Sequence, residues 1–227
     1  MPISPDSIIL WQWKFISLNG TIVFTWLIMG LVTLVSWLVT RRLRTDGTIP
    51  RWQNVLESIV STIMDQVAQV MRQKPHPYLP FLASLFLFIA VSNLLSVVPG
   101  FVPPTGSLST TTGLALCVLV AVPVYGISEN GLKNYLANYI RPTPLMLPFN
   151  ITGEMSRTLA LAVRLFGNVM SGSMIAAILL IIAPLFFPVL MQLLGLLTGL
   201  VQAYIFAILA AVYIAAGREA HEKKSPT

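Results

Sequence analysis

Apolar residues in this chain come in long runs separated by short polar or proline-containing breaks. The runs fall at about 21–40, 79–98, 111–128, 148–182 and 188–216. Each approaches or exceeds the roughly 20 residues needed to cross a hydrocarbon core ~30 Å thick. The breaks are Arg41-Arg42-Leu43-Arg44, Pro75-His76-Pro77, Pro99-Gly100, Glu129-Asn130-Gly131 and the pair Pro184 and Pro188. Residues 51–74 follow a different pattern, with Val55, Ile59, Ile63, Val67 and Val70 at helical spacing and Glu57, Asp65 and Gln69 around the rest of the wheel. That periodicity predicts an amphipathic helix lying along the membrane surface. The fold class expected is therefore all-α and integral to the membrane, with five transmembrane helices and one surface helix. At 1.5 Å per residue the fourth helix would be roughly 50 Å long, so it must tilt or curve.

Composition supports this reading: 56% of residues are apolar, 10% are charged, and the mean hydropathy is +0.79. Residues 1–227 form one integral membrane domain with no sizeable soluble module, which argues against catalysis on a soluble substrate. The single Cys117 lies in an apolar run and cannot form an internal disulfide. The net charge of +6 comes from fourteen Lys and Arg against eight Asp and Glu, and its placement indicates topology rather than a nucleic-acid partner. With five crossings, an outside N-terminus and a cytoplasmic C-terminus, Lys14 lies outside, Arg164 lies at mid-depth and the other twelve basic residues lie toward the cytoplasm. Residues 1–20 lack the features of a cleaved signal and are expected to be mature sequence, with Trp11 and Trp13 beside Lys14 as interfacial anchors. Residues 99–110 should form an uncharged loop. Lys133 and Arg141 flank a connection that Pro142, Pro144 and Pro148 keep from being one continuous helix.

Candidate chemistry is concentrated on the fourth run. From Thr158 to Gly217, sixty residues, Arg164 is the only Asp, Glu, Lys, Arg or His. A guanidinium stays protonated in lipid, and placing one mid-helix costs about 3 kcal/mol on insertion scales, so it marks a functional site whose partner must come from elsewhere. Glu154, Arg157, Leu161, Arg164, Asn168, Ser171 and Ile175 recur at intervals of three and four, which puts them along one helix face. Glu154 and Arg157 read equally well as interfacial charges. On the fifth run, Thr198, Gln202 and Tyr213 are the main polar interruptions. The Gln202 amide can hold a guanidinium on a neighbouring helix or act as interhelical glue. Gly167, Gly172, Ala176 and Ala177 suit either close packing or a partner passing near Arg164.

Arg164-Leu165-Phe166-Gly167-Asn168, preceded by Glu154-x-x-Arg157 and followed by Gln202-Ala203-Tyr204-Ile205-Phe206, resembles subunit a of F-type ATP synthases. The stretch from Ser92 through Asn93 to Pro99-Gly100-Phe101, leading to Pro103-Pro104-Thr105, is similar to the same family. The resemblance implies a non-catalytic stator subunit in a bacterial inner (plasma) membrane, needing no cofactor or metal. Its two long tilted helices would hug a ring of c subunits, each bearing one membrane carboxylate. Its other partners would be the b subunits of the peripheral stalk, the lipid bilayer and, indirectly, the soluble catalytic sector. Arg164 would face the passing carboxylate and favour its ionised form, while its own charge blocks direct passage between two offset half-channels. Gln202 would orient Arg164, Asn168 would line the polar stripe, and Glu154 and Arg157 would lie near the cytoplasmic half-channel.

Two positions depart from the family pattern. An acid or His is common nine residues after the Arg and seven before the Gln, where this chain has Ser173 and Gly195. Water, Ser171, Ser173 and Asn93 are then left to line the outer path, and Na⁺ stands beside H⁺ as the ion carried. A stand-alone secondary transporter or channel that uses Arg164 to bind an anion is the alternative; it predicts an internal repeat, and the sequence has none. A structural anchor would leave Arg164 dispensable.

Overall fold

The computed structural model describes residues 9–13, 16–41, 77–98, 100–131, 146–182 and 187–219, together with 58, 61, 64–66 and 68–69. Among the described residues, five long helices follow a short hairpin. Strands β1 (Ile9–Trp13) and β2 (Ile16–Asn19) pair antiparallel, with the register shifting between Ile9 and Trp11. The hairpin departs from the all-α expectation. Its sequences, ILWQW and ISLN, are rich in the β-branched and aromatic residues that favour extended chain, a local preference that the interfacial-anchor reading of Trp11 and Trp13 passed over.

Helix α1 (Gly20–Arg41) begins where β2 ends and matches the first predicted span to within one residue at each end. It is peripheral, with Trp26, Leu27, Leu34, Val35 and Trp37 exposed and, among its described side chains, only Gly20, Thr21 and Ile28 buried. An apolar helix exposed almost all round suits a hydrocarbon surround. Thr25 and Thr33 each donate a hydroxyl hydrogen bond of 2.7 Å to the carbonyl four residues back, which satisfies them without water.

Helix α2 (Leu79–Leu95) is the shortest, at 17 residues. Leu82, Leu85, Ile89, Ser92 and Asn93 form its buried side. It ends three residues before the expected limit because the Ser96 and Val97 amides turn back to Asn93 and Leu94, after which Gly100 takes φ +88. Residues Pro104–Gly106 then form a 3-10 turn, fully buried with Ser107. The uncharged loop is thus tucked into the fold; a Cβ on Gly106 would lie 3.4 Å from Val169. Helix α3 (Leu108–Asn130) starts three residues earlier than expected, contains Pro123, and stops at Gly131 with φ +77.

Helix α4 (Met146–Ile182) has 37 residues and α5 (Phe187–Glu219) has 33. At 1.5 Å per residue α4 is about 55 Å long. Four helical stretches are long and apolar enough to cross a membrane, Gly20–Leu38, Leu108–Ser128, Pro148–Ile182 and Phe187–Gly217, with Leu79–Leu95 as a shorter apolar helix. The chain is therefore a helical, multi-pass membrane protein. Among the described positions of the predicted surface helix, 58, 61, 64–66 and 68–69 are helical; its remainder, Lys14, Arg42, Arg44, Lys133 and Arg141 lie outside the described residues.

Helix α5 is central, packing on α2, α3 and α4, while α3 also packs on α4. Its contribution to the core is largely small: Ala203, Ala207, Ala210, Ala211 and Ala215 are buried around Phe206 and Ile214. Against these sit Tyr78, Leu82, Leu85 and Ile89 of the α2 region, Ala115, Val118 and Val122 of α3, and Leu161, Ala162 and Leu165 of α4. Small side chains let helix backbones approach closely, the main source of cohesion where lipid offers no hydrophobic gradient.

Candidate functional site

Helix α4 turns Leu161, Ala162 and Leu165 into the core. Helical geometry sets positions 157, 164, 171 and 175 along the flank of that packed strip, beside Leu161, and Arg157, Arg164, Ser171 and Ile175 are exposed. Glu154 and Asn168 are half-buried. The predicted polar stripe therefore runs along the boundary where the packed side of α4 gives way to its open side. The open side is largely apolar, with Met155, Leu159, Val163, Met174 and Ile178 all exposed. Arg164 is a cation on that surface, and among the described residues it makes no hydrogen bond or ion pair.

Gly167 and Gly172 have open space where a Cβ would stand, and Ala176 and Ala177 are half-buried. The smooth surface of α4 is thus not consumed by packing within this chain; close packing falls to the alanines of α5. On α5, Gln202 is only 7% exposed. It makes no hydrogen bond to Arg164 or to any other described residue. The two side chains expected to pair are carried by adjacent helices without pairing. Nearer the ends of α4 and α5, the Arg157 guanidinium lies 6.0 Å from the Tyr213 ring centroid, a cation–π contact between the helices.

The hydroxyls expected to line the outer path are turned back on their own helix. Ser171 donates to the Asn168 carbonyl at 3.2 Å and Ser173 to the Met170 carbonyl at 2.9 Å. Thr198 bonds to the carbonyls of Leu194 and Gly195, and a Cβ on Gly195 would meet nothing within 4 Å. Space exists at Gly195, and Ser173 is exposed. Among the described residues no cluster of His, Cys, Asp and Glu could hold a metal ion.

Asn93 stands apart from these α4 residues. It is 4% exposed, and its amide donates at 2.9 Å to the carbonyl of Gly199 on α5 while accepting at 3.0 Å from the Thr105 hydroxyl. Sequence reasoning did not single out Gly199, and it named Ser92 and Thr105 only within the family-like stretch, without a role. A buried polar contact between positions 106 residues apart leaves no periodic signal along the chain. Tyr204, within the Gln202 motif, donates its hydroxyl to the Gln66 amide oxygen and so ties α5 to the predicted surface helix.

The family described as ATP synthase A chain matches residues 22–215. The chain is 60% identical over 227 residues to ATP synthase subunit a 2 of Acaryochloris marina, covering 100% of this chain and 97% of that protein. It is 62% identical over 225 residues to ATP synthase subunit a 1 of Chlorobaculum parvum, covering 99% and 100%. It is 60% identical over 216 residues to ATP synthase subunit a of Nitrosospira multiformis, covering 95% and 86%. Because both the match and these relatives span nearly its whole length, including Asn93, Arg164, Asn168 and Gln202, the chain belongs to the ATP synthase A chain family.

Proposed function

We propose that the chain is the ion-conducting stator subunit in the membrane sector of a rotary ATP synthase, coupling the passage of H⁺ or Na⁺ to rotation of a c-subunit ring. One observation carries the reading: Arg164 is a fixed cation on the open, apolar side of a long membrane helix, with no partner among the described residues. Such a charge is costly in lipid, and a carboxylate supplied by another subunit would offset that cost. As the carboxylate passes, the guanidinium favours its ionised form and so releases the bound ion. The same charge repels cations from a direct route between two half-channels, leaving rotation as the complete path. The subunit performs no bond chemistry of its own.

In this reading all five apolar helices cross the membrane, with the N-terminus outside and the C-terminus in the cytoplasm, and the peripheral stalk b subunits hold the chain against the rotor. Glu154 and Arg157 lie toward the cytoplasmic half-channel, and Asn168 and Gln202 flank Arg164. With Ser173 and Gly195 at the two departing positions, the outer half-channel conducts through water without a titrating pair, which suits either ion. The test is ATP-driven pumping by the whole complex in inverted membrane vesicles, wild type against Arg164→Ala, followed with a pH dye and with radioactive Na⁺. Loss of pumping in an assembled mutant is expected, and the wild-type signal names the ion. Undiminished pumping by the mutant would remove the reading.

A further inference from the structure

Among the described residues, a buried pair of hydrogen bonds that ties α2 to α5 does not involve Arg164. Asn93 uses both ends of its amide: Nδ2 donates to the Gly199 carbonyl at 2.9 Å, and Oδ1 accepts from the Thr105 hydroxyl at 3.0 Å, which itself lies 3.3 Å from the Ser92 hydroxyl. Ser92, Asn93 and Thr105 are all buried. The fit is also steric, since a Cβ on Gly199 would come within 2.9 Å of the Asn93 Cβ and 3.0 Å of its Cγ and Nδ2. The two helices can approach this closely only with glycine at 199. The Gly199 carbonyl has a second lone pair free for the amide while serving its own helix. A second tie lies seven residues back on α5, where Gln192 donates to the Ser96 carbonyl at 3.3 Å. Seven residues are close to two full turns, so both ties act on one face of α5 and together fix its rotation as well as its height.

Gln202 follows Gly199 by three residues, within one turn and ~4.5 Å along the axis. Its amide has no hydrogen bond among the described residues, so its place relative to α4 is set by the backbone of α5. We propose that Asn93 is a positioning residue: by locking α2 to Gly199 it sets the height and rotation of α5, and through it the place of the Gln202 amide beside the face that carries Arg164. The proposal rests on the stator reading, and it gives Asn93 a role other than lining the ion path.

The test uses the whole complex in inverted vesicles, matched for assembled complex, with ions taken up per ATP hydrolysed as the readout. Asn93→Leu keeps the branched shape, though with bulkier methyls, and removes both hydrogen bonds; about a tenfold loss is expected, the scale of one buried hydrogen bond. Asn93→Asp is the conservative rescue, because burial favours the neutral acid, which keeps one donor and one acceptor. Its uptake should be well above that of Asn93→Leu. The swap Asn93→Gly with Gly199→Ala should restore assembly relative to Gly199→Ala alone, yet remain poorly coupled. Normal uptake by Asn93→Leu, an equal fall in Asn93→Asp, or full coupling in the swap would each overturn the proposal while Arg164→Ala stays inactive. Uptake by Arg164→Ala would bring down the stator reading itself, and this proposal with it.

Discussion

The guanidinium of Arg157 on α4 lies over the ring of Tyr213 on α5, 6.0 Å from its centroid. The contact joins the two long helices at a point where the sequence offered only two isolated polar residues. A cation–π contact at an exposed site is worth about 0.5–1 kcal/mol, a factor of roughly two to five. Tyr213→Phe keeps the ring face and should leave ATP-driven uptake close to wild type. Tyr213→Leu should lower uptake by about that factor, and equal rates in the two variants would assign Tyr213 to packing.

At Arg164 the expected hierarchy is steeper. A lysine keeps the charge but lacks the planar fork that engages a carboxylate through two parallel hydrogen bonds, and it holds water more tightly. Arg164→Lys should therefore transport more than tenfold more slowly than wild type and still exceed Arg164→Ala. Initial rates in inverted vesicles, at matched levels of assembled complex, would rank the three. Parity between the lysine variant and wild type would show that charge alone suffices.

Five apolar helices were legible in the chain because long apolar runs, which suit a hydrocarbon surround, can be counted along the sequence. Helix ends came within three residues, and backbone turns account for two of the largest shifts. The amides of Ser96 and Val97 closed α2 early, and Ser107 let α3 begin inside the supposed loop. The hairpin at Ile9–Asn19 was missed because residues favourable at a membrane interface also favour strands. Arg164 was visible as a lone charge. Its boundary position was not, because a stripe read at intervals of three and four cannot show that Leu161 is buried while Arg164 is open. The Asn93–Gly199 contact was illegible for a different reason: it depends on a missing side chain at one position meeting an amide on another helix.

The lack of a hydrogen bond between Gln202 and Arg164 shapes the outcome at position 202. If the amide acts only when a partner carboxylate arrives, Gln202→Leu should assemble normally and lose coupling, with less uptake per ATP hydrolysed. A loss of several-fold, on the scale of one buried hydrogen bond, is the expected size. A variant that transports at the normal rate would reduce Gln202 to interhelical packing.

Ser173 occupies one of the positions where the family commonly has a titrating group, and its hydroxyl donates to the Met170 carbonyl of its own helix. Removing a hydroxyl satisfied in this way should have little effect. Ser173→Ala is expected to stay within about twofold of wild type, because back-bonded hydroxyls contribute little to helices. A tenfold or greater loss in uptake would instead mark Ser173 as a point on the ion path.

Gly217 tests how tightly α3 and α5 are joined. A Cβ there would come within 2.9 Å of Val122 Cγ1, a methyl on a side chain with one stiff torsion, so relief requires the helices to move apart. Overpacking of this kind costs about 1–3 kcal/mol. Gly217→Ala should lower the melting temperature of the purified complex and the amount of assembled subunit, with transport per assembled complex little changed. Val122→Ala removes the offending methyl and should restore assembly in the double variant, at the cost of a small cavity. If the double variant is no better than Gly217→Ala alone, the α3–α5 contact is not what the glycine protects.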